Sequence, residues 1–175
     1  MKQLAAAIEA LRASGYEISI VTGGGTGTFA ADAALRVLNE AQPGSYIFMD
    51  AQYRDALGAD EDAAFEQSLF VQAQVVSVNA AHWVTVDAGL KAFATDGPLP
   101  RPVGQRFGGS SYFYFGDEHG GLSRPLQGSP IRLGERAEFI PPHCDPTVDR
   151  YEMLFLVRSD VLIEITPLQA ARRSQ

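Results

Sequence analysis

The sequence is poor in cysteine, in lysine and in positive charge. Cys144 stands alone among 175 residues, so no disulfide framework can form within the chain. Lysine occurs only as Lys2 and Lys91. Fourteen Lys and Arg against 21 Asp and Glu leave a net charge of −7. That balance argues against a nucleic-acid or anionic-membrane partner. No stretch approaches the roughly 20 consecutive apolar residues of a membrane-spanning helix. The opening MKQLAAAIEALRASG lacks the pattern of a signal peptide. A cytoplasmic location is the expectation. No internal repeat or low-complexity segment is visible.

What is present is a chain long enough for one domain with a real core, or for one domain plus a fragment. Its 17 glycines and 10 prolines imply many turns. Leu4, Ile8 and Leu11 share a helical stripe that predicts an N-terminal amphipathic helix, closed by Ser14-Gly15. Tyr16 to Thr22 predicts a short buried strand. Gly23-Gly24-Gly25-Thr26-Gly27-Thr28 follows, and Ala30 to Glu40 predicts a helix through Leu35 and Leu38. Strand, glycine loop and helix together present backbone N–H groups to an anion. Thr26 and Thr28 would add hydroxyl donors. The loop is neither a Walker loop nor a dinucleotide fingerprint. A site for a single phosphate, on Gly24, Gly25, Thr26 and Gly27, and a merely flexible loop are the two readings it allows.

After Gln42-Pro43-Gly44 the texture turns to strand and loop. Strands are predicted over Ser45–Asp50, within Phe65–Val78, over Trp83–Asp87, Tyr112–Phe115 and Ala137–Ile140. Ala51 to Asp62 reads as a polar loop with a helical turn, and Thr95 to Gly109 as a surface loop. Tyr151–Val157 and Val161–Thr166 flank Arg158-Ser159-Asp160 as a hairpin. Gln169 to Gln175 is a polar, frayed tail. The expected fold is α+β: residues 1–40 as a helix-strand-helix remnant of a β/α barrel, then residues 41–175 as a β-rich, barrel-like domain of antiparallel strands.

The run Ile140-Pro141-Pro142-His143-Cys144-Asp145-Pro146-Thr147-Val148 carries the most chemistry. On a strand, His143 and Asp145 share a face and Cys144 points away. An imidazole and a carboxylate so placed can bind one divalent metal, with water or substrate in the open positions. A surface His-x-Asp turn without metal has the same sequence. His119, in Gly116-Asp117-Glu118-His119-Gly120, suits either an active-site loop or a hydrogen-bonded loop histidine. His82 is expected to be structural. Tyr46 and Tyr53 could line a site or belong to the core.

Taken in order, five segments resemble the D-threonine aldolase/D-serine dehydratase-like enzymes, relatives of alanine racemase. They are TGGGTGT from Thr22, QPGSYIFMD from Gln42 with Tyr53, DAGLK from Asp87, DEHG from Asp117, and PHCDPTV from Pro142. The resemblance spans roughly residues 20 to 165 and implies the C-terminal part of such an enzyme. It implies pyridoxal phosphate (PLP) held at its phosphate by the glycine loop, and a divalent metal (Mn, Zn or Mg) on His143 and Asp145. It implies a D-β-hydroxy-α-amino acid substrate, and the exposed edges of an incomplete barrel favour a homodimer. His-x-Asp tends to mark the aldolases and His-x-Cys the dehydratases, so Asp145 favours the aldolase branch. Most of the barrel, with the cofactor lysine, has no counterpart here, and Lys91 reads as a surface residue. The expectation is a fragment or truncated product that is inactive alone. The alternatives are a D-serine dehydratase-type fragment and a non-catalytic metal-binding or assembly domain.

Overall fold

The computed structural model describes residues 1–58, 65–124 and 130–168. The tail from Gln169 and the end of the loop predicted to reach Asp62 lie outside the described residues. Two units are distinguished, Met1–Ile47 and a second beginning at Phe48.

In the first unit, helix α1 (Lys2–Ala13) forms where the apolar stripe predicts it and ends at Ser14-Gly15, with Gly15 at φ 89°. Of the stripe only Ile8 is buried; Leu4 and Leu11 are exposed. The buried strand predicted over Tyr16–Thr22 is not there. Only Thr22–Gly23 (β1) pairs, in parallel, with Glu40–Ala41 (β2). Tyr16 and Ile20 are both 63% exposed. The reason is Asn39. Its side chain accepts from Val21 N at 2.8 Å and donates to Ser19 O at 2.7 Å, occupying groups that a neighbouring strand would use. Helix α2 (Phe29–Leu35) stops short of the predicted Glu40 because Arg36 takes the left-handed conformation, φ 53°. Ser45–Ile47 is a 3-10 turn and not the start of a strand.

The second unit opens with α3 (Ala51–Leu57) and then builds one sheet. Its strands are β3 (Val71–Ser77), β4 (Trp83–Val86), β5 (Arg101–Val103), β6 (Tyr112–Tyr114), β7 (Gly120–Ser123) and β8 (Arg136–Ile140). The order is β5-β8-β3-β4-β7-β6. Every pairing is antiparallel. Along β3 burial alternates residue by residue, placing Val71, Ala73 and Val75 on the inner face. They meet Val84 and Val86 from β4, Ala137 and Phe139 from β8, and Leu122 from β7. Phe93, Tyr112 and Phe139 pack edge to face, with centroids 5.4–5.6 Å apart. The sheet curls into a nearly closed barrel. Pro98–Pro102 and Gly109–Tyr112 face each other across a cleft of about 470 Å³ where its two edges approach.

The stretch Thr95–Gly109 is therefore not a plain surface loop. It carries β5, paired to β8 from Arg101↔Ile140 to Val103↔Glu138, and the short helix α4 (Gly104–Phe107). Phe107 is buried. The prolines misled because proline is tolerated on an edge strand. After β8 comes helix α5 (Cys144–Val148), then the predicted hairpin of β9 (Met153–Arg158) and β10 (Val161–Pro167). Its turn is Ser159-Asp160, both at positive φ (48° and 62°), as a two-residue turn of matching twist requires. The hairpin's apolar side chains are mostly exposed, Phe155, Val157, Val161 and Ile163 among them.

Three tyrosine hydroxyls tie the segment after β4 to the rest of the domain. Tyr112 Oη donates to Ala88 O (2.7 Å), Tyr151 Oη to Ala92 O (2.9 Å) and Tyr114 Oη to Ala94 O (3.2 Å). Burial raises all three phenols above the ordinary range, Tyr151 to about 12. A phenol raised on folding contributes its stability fully below about pH 10 and loses it as pH climbs through the folded value. Stability should therefore fall above about pH 10, by about 1.4 kcal/mol per pH unit for each group still protonated in the folded state. Absorbance of phenolate during alkaline titration should show Tyr112, Tyr114 and Tyr151 ionising above the ordinary phenol range while the chain stays folded. These three ionising within the ordinary phenol range in the folded chain would contradict the assignment.

Candidate metal centre

The site is built on a turn. Met49 is buried with φ 56°, a conformation uncommon for a side chain of this size. Gln67 holds it there: its Nε2 donates toward Phe48 O (3.1 Å), Met49 O (3.0 Å) and Leu69 O (2.8 Å). The turn delivers Asp50, which is completely buried. Its Oδ1 accepts from Tyr53 N at 2.7 Å and caps α3. Its Oδ2 accepts from Cys144 N, also at 2.7 Å, at the first residue of α5. Ala51 N and Gln52 N donate to Pro141 O and Pro142 O alongside.

His143 and Asp145 do not lie on a strand, so the parity argument for their shared face fails. Strand β8 ends at Ile140, His143 is the extended N-cap residue of α5 (φ −141°, ψ 125°), and Asp145 is in the first helical turn. The prolines stop the strand, and Asp50 starts the helix. The two side chains converge nonetheless. His143 Nε2 lies 3.6 Å from Asp145 Oδ2. Two ligands about 2.1 Å from one ion stand roughly 3.0–3.5 Å apart, so small movements would let one ion take both. Cys144 is buried and unavailable as a ligand. Among the described residues no group of three or more His, Cys, Asp and Glu side chains is arranged for a metal. The pair thus suits a centre in which solvent or substrate fills the remaining positions.

Two further residues shape this centre. Thr147 Oγ1 donates to His143 O (2.7 Å) and accepts from Ala94 N (3.0 Å). His143 Nδ1 lies 2.9 Å from Asp96 Oδ2, and this hydrogen bond holds the Asp96 carboxyl below its ordinary range.

The other candidates fall elsewhere. His119 sits in the loop before β7 and acts through its backbone, accepting from Phe115 N. That loop packs against the segment after β4: Leu90 N donates to Gly116 O and Lys91 N to Asp117 O. Gly89 is required there, since a Cβ would come within 2.5 Å of Gly116 O and His119 N. Lys91 pairs with Glu118 on the surface. His82 accepts from Arg124 N through its carbonyl, a structural contact. Tyr53 contributes its amide to Asp50, and Tyr46 donates its own to Thr26 Oγ1 at 3.1 Å.

In the first unit the glycine loop is partly self-satisfied. Gly25 N donates to Thr28 Oγ1 (3.2 Å), whose hydroxyl donates to Asp32 Oδ2 (2.7 Å). Thr28 is therefore not a free donor, and the Asp32 carboxyl lies against Gly24. Among the described residues, the amides of Thr26 and Gly27 donate to no acceptor. An anion's fit to the loop rests on those two amides.

The serine dehydratase domain model, D-ser_dehydrat, matches residues 68–157, more than half of the chain. A D-threonine aldolase of Arthrobacter is 40% identical over 91% of this chain and 41% of its own length. A 3-hydroxy-D-aspartate aldolase of Paracoccus denitrificans is 34% identical over 96% of this chain and 43% of its own. The crystal structure of D-threonine aldolase from Filomicrobium marinum superposes with a TM-score of 0.86 at 39% identity, covering 96% of this chain and 46% of that one. The chain spans less than half the length of these relatives.

Asp50 gives the first test of this architecture. Asp50→Ala removes two caps at once and leaves buried N–H groups unpaired, so urea unfolding should show a loss of roughly 2–4 kcal/mol. A loss below about 0.5 kcal/mol, the range of an ordinary surface substitution, would show that the carboxyl is not what joins α3 to α5.

Proposed function

The chain belongs to the serine dehydratase domain family, and from that premise we propose that it is the C-terminal portion of a PLP- and divalent-metal-dependent lyase for D-β-hydroxy-α-amino acids. We assign it to the aldolase type, which cleaves such a substrate to glycine and an aldehyde. The observation that carries the reading is the His143–Asp145 pair, with Nε2 and Oδ2 3.6 Å apart at the start of α5. Both curated relatives named above are aldolases of D-hydroxy amino acids, which supports the branch.

His143 and Asp145 would hold the ion, Mn, Zn or Mg, and leave positions open to the substrate's β-oxygen. A bound ion lowers the pKa of a hydroxyl placed on it. Thr26 and Gly27 would offer their amides to the PLP phosphate, and the cofactor supplies an electron sink when bound. Asp145 would keep its oxygen beside the hydroxyl, and Asp50 and Thr147 fix the backbone that carries it. Neither lysine of this sequence is placed for the cofactor. Lys91 is engaged with Glu118 on the surface, and Lys2 lies on exposed α1. In this reading the cofactor lysine comes from outside these 175 residues, and the homodimer and the cytoplasmic location go with it. A dehydratase is the second reading, favoured by the family's own description. Asp145, in place of a cysteine two residues after His143, weighs against it.

Calorimetric titration of the chain with Mn²⁺ should show one site. His143→Ala and Asp145→Ala should each weaken it at least about tenfold, since either leaves a single protein ligand. Binding unchanged in both variants would remove the basis of the metal assignment. Supplying the N-terminal half of a D-threonine aldolase in trans then tests the branch. Glycine and aldehyde are expected from D-threonine; a 2-oxo acid and ammonia would instead favour the dehydratase.

A further inference from the structure

We propose that Asp96 is a positioning residue of the metal centre: it accepts the Nδ1 hydrogen of His143 and so reserves the Nε2 lone pair, beside Asp145, for a divalent ion. This rests on the metal reading above and adds a residue that no sequence motif marks.

The two ring nitrogens of His143 face two different carboxylates. Nδ1 is 2.9 Å from Asp96 Oδ2, within hydrogen-bond range, and Nε2 is 3.6 Å from Asp145 Oδ2, outside it. A neutral imidazole has one donor nitrogen and one acceptor, and the hydrogen bond made by one sets the role of the other. The hydrogen therefore belongs on Nδ1. With Asp96 removed, the ring is free to carry it on Nε2, where it would block the ion. Asp96 is not itself a third ligand through this ring, because it meets the edge opposite Asp145.

The Asp96 side chain is 57% exposed. Its backbone is clamped on both sides. Phe93 and Ala94 before it are buried. Ala94 N donates to Thr147 Oγ1, whose hydroxyl in turn donates to His143 O. Gly97 after it lies so close to Pro142 that a Cβ would stand 3.3 Å from the Pro142 carbonyl. One threonine thus fixes the loop bearing Asp96 against the backbone of the histidine it serves. Carboxylates that accept from metal-bound histidines act in this way, orienting the ring and raising its basicity.

The test uses the metal-free chain labelled with ¹⁵N at histidine, at a pH where the ring is neutral. Two-bond proton–nitrogen correlations should show His143 with its hydrogen on Nδ1, in the unsubstituted chain and in Asp96→Asn, whose amide oxygen still accepts. Asp96→Ala should populate the Nε2–H form, and its Mn²⁺ affinity should fall roughly 10- to 100-fold. Asp96→Ser, too short to reach the ring, repeats the test if the alanine variant does not fold. An Nδ1–H ring in Asp96→Ala, or unchanged Mn²⁺ affinity there, overturns the proposal while leaving the metal assignment standing. A tautomer that shifts as expected in a chain that binds no Mn²⁺ at all overturns it the other way, through the metal reading itself.

Discussion

The centre depends on the burial of one carboxyl group. Asp50 has no contact with solvent, and burial of a carboxyl is costly unless its oxygens are used. Both are used, and on two different helices. One oxygen closes α3 three residues on, and the other closes α5, 94 residues away in sequence. The helix that His143 caps and that bears Asp145 is only five residues long and would be marginal by itself. It exists where it does because the Cys144 amide has a partner already in place. The left-handed Met49 is what aims Asp50 inward, and the Gln67 amide is what makes that conformation tolerable.

A second line of restraint reaches the same point from the sheet. Tyr112 and Tyr114 project from β6 and Tyr151 follows α5, and their hydroxyls hold the carbonyls of Ala88, Ala94 and Ala92. The segment they hold runs from β4 to Asp96. Thr147 links its end to His143. The candidate metal centre is thus bounded by two loops, each fixed by side-chain bonds to backbone and each anchored in the packed face of the sheet. In that setting two protein ligands could keep their relative geometry while other positions stay open to exchange.

Clean alternation made β4 legible from the sequence, a long β-prone run did so for β3, and the paired apolar runs around Arg158-Ser159-Asp160 gave the hairpin. SYIFMD was not legible, since its apolar letters suit a strand while its backbone serves a buried turn and a cap. RPVGQRF was hidden by its proline and glycine, although Pro102 sits in an edge strand and Phe107 in the core. His143 and Asp145 were found by a strand argument that does not apply; their convergence comes from an N-cap followed by the first turn of a helix. Asp96, Thr147 and Gln67 carried no local signal, because each acts on a partner distant in sequence or on backbone. The DAGLK and DEHG segments turn out to meet each other through Gly89, which is a packing requirement.

Ligand chemistry at the centre turns on the order of three residues, His143-Cys144-Asp145. The helix start buries Cys144 and leaves its neighbours accessible, so sulfur is held back while nitrogen and oxygen face outward. A thiolate two residues after the histidine would select soft ions such as Zn²⁺; a carboxylate there opens the centre to harder ones, Mn²⁺ and Mg²⁺. The Cys144 Sγ lies 3.6 Å from Asp145 Oδ1, so the buried thiol borders the carboxylate that the proposed reading gives to the ion. Moving the helix start by one residue would turn each side chain about 100° around the helix axis and so change which groups face outward. The Asp50 cap sets that register, and in the proposed reading it thereby sets the metal chemistry as well.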